Sequence, residues 1–264
     1  MWCPCDKVEE LDLDLPEHLG IKINFLRIRK TNFNENISDI SNLNFIDLEE
    51  IKTFKTKKRS EEHATGRYLL YHMFRKYFPL IDTNLIRVLR DENKAPYFDW
   101  KTKNDQLLPN FSISTTEELA IVAICDSNHS LGIDIEKSNE KRSINLFDFI
   151  SNGVELEHIR KLYGSENNFA INKIWTVKES ILKALRLGMS ISPTKLKVLD
   201  KNLDYKKSII YGGDKIKFKN FQLKLSEDYS LSLAYRNLKS AGPGNRTRTA
   251  GLEGQNHTAR PVLQ

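Results

Sequence analysis

The sequence predicts an α+β protein assembled from two similar halves. Leu119 to Cys125 is an unbroken apolar run of strand length, the mark of a strand covered on both faces. Ile174, Val177, Ile181 and Leu185 recur at helical spacing and form one apolar stripe on a long helix. A faint repeat supplies the third observation. Strand, short helix, long helix and strand succeed one another twice along the chain.

In chain order, residues 21–28 are a strand candidate. Leu48 to Ile51 opens a helical stretch that leads to residues 65–74. The polar link at residues 99–110, with Pro109 near its end, separates the halves, so the first is placed at residues 1–110 and the second at 111–239. The second half holds the Leu119–Cys125 strand, a helix opening at residues 154–159 and a long helix over 175–187. It closes with strands at 196–199, 208–211, 216–225 and 229–236, and Gly212-Gly213-Asp214 turns between two of them. Residues 240–264 read as a disordered tail. The isoleucine, asparagine and lysine bias of the body stops there, and large apolar residues almost vanish before Val262-Leu263.

Composition excludes several classes. A chain of 264 residues with 39% hydrophobic content can build a real core. No window approaches the roughly 18 consecutive apolar residues of a membrane helix. Met1 to Glu10 lacks the basic start and apolar run of a secretory signal. Cys3, Cys5 and Cys125 are an odd set without a framework, which points to a reducing, cytoplasmic setting. Cys3-Pro4-Cys5 lacks the further ligands of a zinc site. The net charge of +6 and pI of about 9.0 would suit nucleic acid. The basic residues are scattered among acids with no reading motif, so no nucleic-acid partner is expected. An anionic cofactor or an acidic protein would use the same excess. Fusion of two halves in one chain makes a monomer the expected state.

Chemistry concentrates in two short stretches. In Gly132-Ile133-Asp134-Ile135-Glu136, residues two apart share a strand face. Ile133 and Ile135 turn to a core, and Asp134 and Glu136 stand side by side on the other face. Paired carboxylates repel unless one is protonated or a cation lies between them. Gly132, without a side chain, is expected to leave room for a ligand. In Trp175-Thr176-Val177-Lys178-Glu179-Ser180-Ile181-Leu182-Lys183, Glu179 and Lys183 lie off the apolar stripe, one turn apart. Taken singly, the first stretch is a wet strand end. The second is then a surface ion pair worth a few tenths of a kcal/mol, with Trp175 as a core anchor. Taken together, they offer three carboxylates to a hard cation and a lysine to a phosphate. Magnesium prefers such oxygen ligands and shares its shell with substrate phosphates. No histidine or cysteine cluster competes for a softer metal, and no Gly-x-x-x-x-Gly-Lys-Ser/Thr loop is present.

Both stretches resemble the signatures of the Sfp-type 4′-phosphopantetheinyl transferases, a Gly-Ile-Asp-Ile-Glu strand and a Trp-x-x-Lys-Glu-Ser/Ala-x-x-Lys helix about 40 residues apart. Phe111-Ser112-Ile113-Ser114-Thr115-Thr116 is similar to a third family stretch, Phe-Asn-x-Ser-His-Ser. Asn93-Lys94-Ala95-Pro96-Tyr97-Phe98 is similar to a fourth, Gly-Lys-Pro-Tyr. The similarity covers residues 55–235. It implies two pseudo-twofold-related α+β halves, each a small antiparallel sheet packed on a long helix, with coenzyme A between them. It implies transfer of 4′-phosphopantetheine from coenzyme A to a serine of an acyl or peptidyl carrier protein, releasing 3′,5′-ADP.

By position, Asp134, Glu136 and Glu179 would hold magnesium against the coenzyme A pyrophosphate, and Asp134 would also contact the cofactor. Lys183 would assist through its charge. Glu155 corresponds to an acid proposed in some members as general base, with Glu157 as its competitor. Ser114, Lys94, Arg67 and the Lys57-Lys58-Arg59 cluster are the expected phosphate contacts. The cluster competes with a plain solvated turn. Two departures stand out. Thr115 replaces the family histidine that helps hold the phosphates, which predicts weaker coenzyme A binding than in histidine-bearing relatives. Ala95 is inserted between Lys94 and Pro96. The alternative reading is an inactive relative that binds carrier protein or nucleotide. The intact carboxylates and Lys183 argue against it.

Overall fold

The computed structural model describes residues 8–27, 44–142, 145–162, 169–225 and 227–238. The expected tail, Cys3 and Cys5 lie outside these residues. The elements in order are β1 (Glu9–Glu10), β2 (Lys22–Arg27), α1 (Leu48–Lys52), α2 (Lys57–Tyr77), β3 (Ile86–Arg90) and β4 (Pro96–Trp100). There follow β5 (Asn110–Thr115), β6 (Leu119–Cys125), β7 (His129–Lys137), α3 (Asn145–Ile150), α4 (Gly153–Leu162) and α5 (Phe169–Leu185). The chain closes with β8 (Ser208–Tyr211), β9 (Asp214–Lys224) and β10 (Asp228–Asn237). The result is a mixed α+β architecture with antiparallel sheets.

β6 explains the layering. Leu119, Ile121, Ala123 and Cys125 point into a core shared with Leu131, Ile133 and Ile135 of β7 and Leu231 and Leu233 of β10. Ala120, Val122 and Ile124 point the other way, onto Leu69, Leu70, Met73 and Phe74 of α2. The run is continuously apolar because one face meets a sheet and the other a helix. A third core joins Ile174, Val177 and Ile181 of α5 to Ile216, Phe218 and Ala234 of the second sheet. The order through the molecule is therefore helix, sheet, sheet, helix.

The first sheet runs β1-β2-β6-β5 and the second β7-β10-β9-β8. Their edge strands β5 and β7 meet without sharing a backbone ladder. Ser112 Oγ accepts from Ile133 N at 3.0 Å, and Ser114 Oγ accepts from Ile135 N at 3.3 Å. These hydroxyls satisfy edge N–H groups that would otherwise lie buried and unpaired.

The elements differ from the expected ones at three points. A boundary between residues 110 and 111 cuts into β5, whose ladder partner is β6. The second sheet begins only at His129, because a polar link ending in proline resembles a domain border even where it feeds an edge strand. Residues 196–199 form no strand. Leu199 makes an isolated bridge to Tyr205, and Leu196 and Val198 pack into the core beneath α5. Finally, β3 and β4 pair as a hairpin, Val88 opposite Phe98, just before the expected link and where no strands were expected. The Asp91–Ala95 turn has no glycine, so the usual hairpin signal is missing. Among the described residues no helix is long and apolar enough to cross a membrane.

Candidate active site

α5 lies directly on β7. A Cβ on Gly132 would stand 2.0 Å from Ser180 O and 2.5 Å from Ala184 N. The room left by Gly132 is thus filled by the helix backbone, which corrects the expectation of a ligand there. This approach sets the rest of the site. Trp175 Nε1 donates to Glu136 Oε1 at 3.1 Å, and Lys183 Nζ donates to Asp134 Oδ1 at 2.6 Å. Trp175 is half-buried against the α5 core, so it serves as core anchor and carboxylate contact together.

Asp134 is 4% exposed. Its Oδ1 also accepts from Ser114 Oγ at 2.8 Å, across the seam between the sheets. Its Oδ2 is buried without a partner. Glu136 Oε2 accepts from Arg142 at 2.5 Å. Burial and the Asp134 charge nonetheless push the Glu136 carboxyl up to about 7, against the pull of Arg142. Burial also raises Glu179, opposed by Lys183 and reinforced by Asp134. Burial alone would lower Lys183, but Asp134 and Glu179 hold its ammonium above the ordinary value. The surface ion pair between Glu179 and Lys183 gives way to a lysine directed at Asp134.

A cavity of about 380 Å³ collects these groups with cations from the first sheet's side. Of the residues expected to act, Arg59, Arg67, Lys94, Ser114, Thr115, Asp134, Glu136, Glu179 and Lys183 line it. Carboxylates come from β7 and α5. Opposite them, Arg59 and Arg67 come from α2, and Arg90 and Lys94 from the β3–β4 hairpin. Arg67 is 3% exposed and its NH1 lacks a partner. Burial and Arg90 lower its guanidinium to about 10. Lys94 has φ 64° in a turn where Asp91 Oδ1 accepts from Asn93 N and Ala95 N, so the inserted Ala95 is absorbed locally.

Three expected site residues, Lys57, Lys58 and Glu155, fall outside the cavity lining. Lys58 sits on the first turn of α2 and pairs with Glu117 at 3.3 Å, both half exposed. Glu155 is buried in an ion pair with Lys178 at 2.6 Å, and it also accepts from Ser151 Oγ and from Val198 N. Burial pushes its carboxyl up, but Lys178 and these hydrogen bonds pull it below the ordinary value. A carboxylate so enclosed has no free lone pair for a carrier serine, so its assignment as general base is replaced by a structural one. Glu157 is exposed on the same helix.

Sequence reasoning missed Arg186 and His63. Arg186, just past α5 at φ 59°, donates to Asp91 Oδ2 at 2.8 Å and to Pro96 O at 3.1 Å. It ties the α5 end to the β3–β4 turn. Its place beside Lys183 in sequence was the available signal.

Whether these residues suit a divalent cation can be judged from the donors. As the side chains stand, no three acidic, histidine or cysteine groups among the described residues are gathered closely enough to hold a metal ion. Glu136 is turned to Arg142 and Trp175. The donor chemistry does fit a hard ion: three carboxylates on adjoining elements, two of them raised by burial, and an orphaned Asp134 Oδ2.

Residues 130–234 match the family model described as 4′-phosphopantetheinyl transferase superfamily. The match takes in less than half of the chain, and over it the chain is similar to that superfamily. It is also 32% identical over 142 residues to 4′-phosphopantetheinyl transferase gsp of Aneurinibacillus migulanus. That match covers 52% of this chain and 56% of the relative, so the chain spans about half the length of the curated relative it matches. The matched stretch runs from β7 to β10 and contains Asp134, Glu136 and Glu179. The arginine wall and Lys94 lie before it in the chain.

The structural role of Glu155 can be measured. Glu155→Ala should lower stability by about 3–5 kcal/mol, because it strands a buried ammonium. Glu155→Leu combined with Lys178→Met should recover most of that loss in urea unfolding. An unchanged midpoint for the single variant would return Glu155 to the list of catalytic acids.

Proposed function

We propose that the protein transfers the 4′-phosphopantetheine group of coenzyme A to a serine of an acyl or peptidyl carrier protein, with magnesium, releasing 3′,5′-ADP. One observation carries the reading. A single cavity has a carboxylate wall on β7 and α5 and a cation wall on α2 and the β3–β4 hairpin. A pyrophosphate accompanied by a divalent cation would use both walls. The same reading treats the two helix-backed sheets as duplicated halves.

Asp134, Glu136 and Glu179 would hold the magnesium, which neutralises charge on the pyrophosphate when bound. Lys183 keeps its proton between Asp134 and Glu179 and presents a fixed positive charge to the phosphoryl oxygens. Ser114 fixes Asp134 through a hydrogen bond, so that carboxylate does not reorganise as charge moves. Phosphoryl transfer asks mainly for such positioning and charge stabilisation. An acidic carrier would be drawn to the basic chain.

The test mixes the protein with apo carrier proteins, coenzyme A and magnesium, and follows each carrier by intact mass. A phosphopantetheine gain on at least one carrier is the expected result. No gain on carriers from fatty acid, polyketide and nonribosomal peptide systems would refute the transferase reading.

A further inference from the structure

His63 lies on α2, one turn before Gly66. At Gly66 the helix packs tightly on β5: a Cβ there would stand 2.8 Å from Ile113 Cγ2 and 3.7 Å from Thr115 Cγ2. His63 therefore faces the same cavity as Thr115, and both line it. It is 9% exposed, and its Nε2 has no hydrogen-bond partner. Arg67 NH1, one turn further on, is likewise buried and unpartnered. Two unpaired polar groups lining one cavity from one helix face are costly unless something enters between them.

The surroundings select the sign of that ligand. Arg59 and Arg67 on α2 and Arg90 on β3 surround His63. Glu50 of α1 stands 3.5 Å from Nε2 but is engaged by Arg90 at 2.5 Å. Glu62 is engaged by Arg59 at 3.5 Å. Phe54 closes one side of the ring at 5.1 Å between centroids.

We propose that His63, together with Arg67, binds a phosphate monoester of the ligand, and so provides from the helix the donor that β5 lacks at Thr115. The inference rests on the coenzyme A reading and concerns the 3′-phosphate of that ligand. It also revises the expectation at Thr115, since the shortfall in phosphate grip is covered from a neighbouring element. In the free protein, burial and the three guanidinium groups keep the imidazole neutral, down to about 3. A dianion reverses that field. Binding then draws a proton from solvent onto His63, and the contact becomes a charge-assisted one.

Calorimetry on the full chain tests this without turnover, in magnesium buffer lacking any carrier. Coenzyme A and 3′-dephospho-coenzyme A are titrated at pH 7.5, where a phosphate monoester with its second pKa near about 6 is already a dianion. Buffers of different ionisation enthalpy report the protons exchanged. Coenzyme A should take up protons and the dephospho form should not. His63→Gln should weaken coenzyme A binding about 10–100-fold, remove the uptake, and leave dephospho-coenzyme A binding unchanged. Equal losses for both ligands, or uptake that persists in the variant, would overturn the assignment. Should the variant fail to fold, equal proton exchange by the two ligands on the wild type would overturn it as well. Absence of binding by both ligands to the wild type overturns the coenzyme A reading itself.

Discussion

Asp134→Asn is expected to cut phosphopantetheine transfer by about 10²–10³-fold while leaving the protein folded. The substitution keeps shape and one carbonyl oxygen for Ser114 and Lys183, which lie 2.8 and 2.6 Å from Oδ1. It removes the charge that makes the orphaned Oδ2 useful to a cation. Losing the Lys183 ion pair costs stability. Relief of repulsion on Glu136 and Glu179 offsets it, since Asp134 helps raise both carboxyls. The melting temperature should therefore move little, and the Glu136 carboxyl should fall back towards its ordinary range in a carbon-detected titration. Intact-mass rates near wild type would remove Asp134 from the metal assignment. A large drop in melting temperature would instead make its role structural.

Gly132→Ala should be the most damaging single methyl in the described chain. Its Cβ meets the backbone oxygen of Ser180 at 2.0 Å and the backbone nitrogen of Ala184 at 2.5 Å, and neither can rotate away. The helix must lift off the sheet, which breaks the Asp134–Lys183 and Glu136–Trp175 contacts together. A cost of about 3 kcal/mol or more is expected, a large share of the roughly 5–15 kcal/mol that holds a domain folded. Gly66→Ala is the informative comparison. Its 2.8 Å contact is the tip of the Ile113 side chain, which can shift, so about 1 kcal/mol is expected. Urea unfolding of the two variants should separate them clearly, and equal midpoints would contradict the close approach at Gly132.

The carboxylate wall was legible in sequence because its parts are local. Asp134 and Glu136 sit two apart on a strand. Trp175, Glu179 and Lys183 sit four apart on a helix, and each spacing places the residues on one face. The cation wall was only partly legible. Arg67 and Arg59 could be suspected, but nothing local distinguishes Arg59 from Lys58, which turns to Glu117. His63 was invisible, since a histidine within a helix is unremarkable until the strand beneath it is known. Glu155 misled for the opposite reason. Its position suits a catalytic acid, and only the tertiary structure brings Lys178 within 2.6 Å. In the fold, the continuous strand β6 and the amphipathic α5 were readable from apolar periodicity. The ladder joining β5 to β6 was not, because strand pairing leaves no trace in the order of residues alone.

The seam between β5 and β7 separates two design problems that a single continuous sheet would merge. Side chains of Asn110, Ser112 and Ser114, and no backbone ladder, hydrogen-bond across it, so changes elsewhere on the β5 side need not disturb the ladder that aligns Asp134 with Ser232 or Glu136 with Ser230. If the cavity takes coenzyme A as proposed, the cation wall can trade a phosphate-binding histidine between a strand and a helix while the carboxylate wall stays in register. A fold divided in this way allows ligand grip to drift through evolution without retuning the reaction centre.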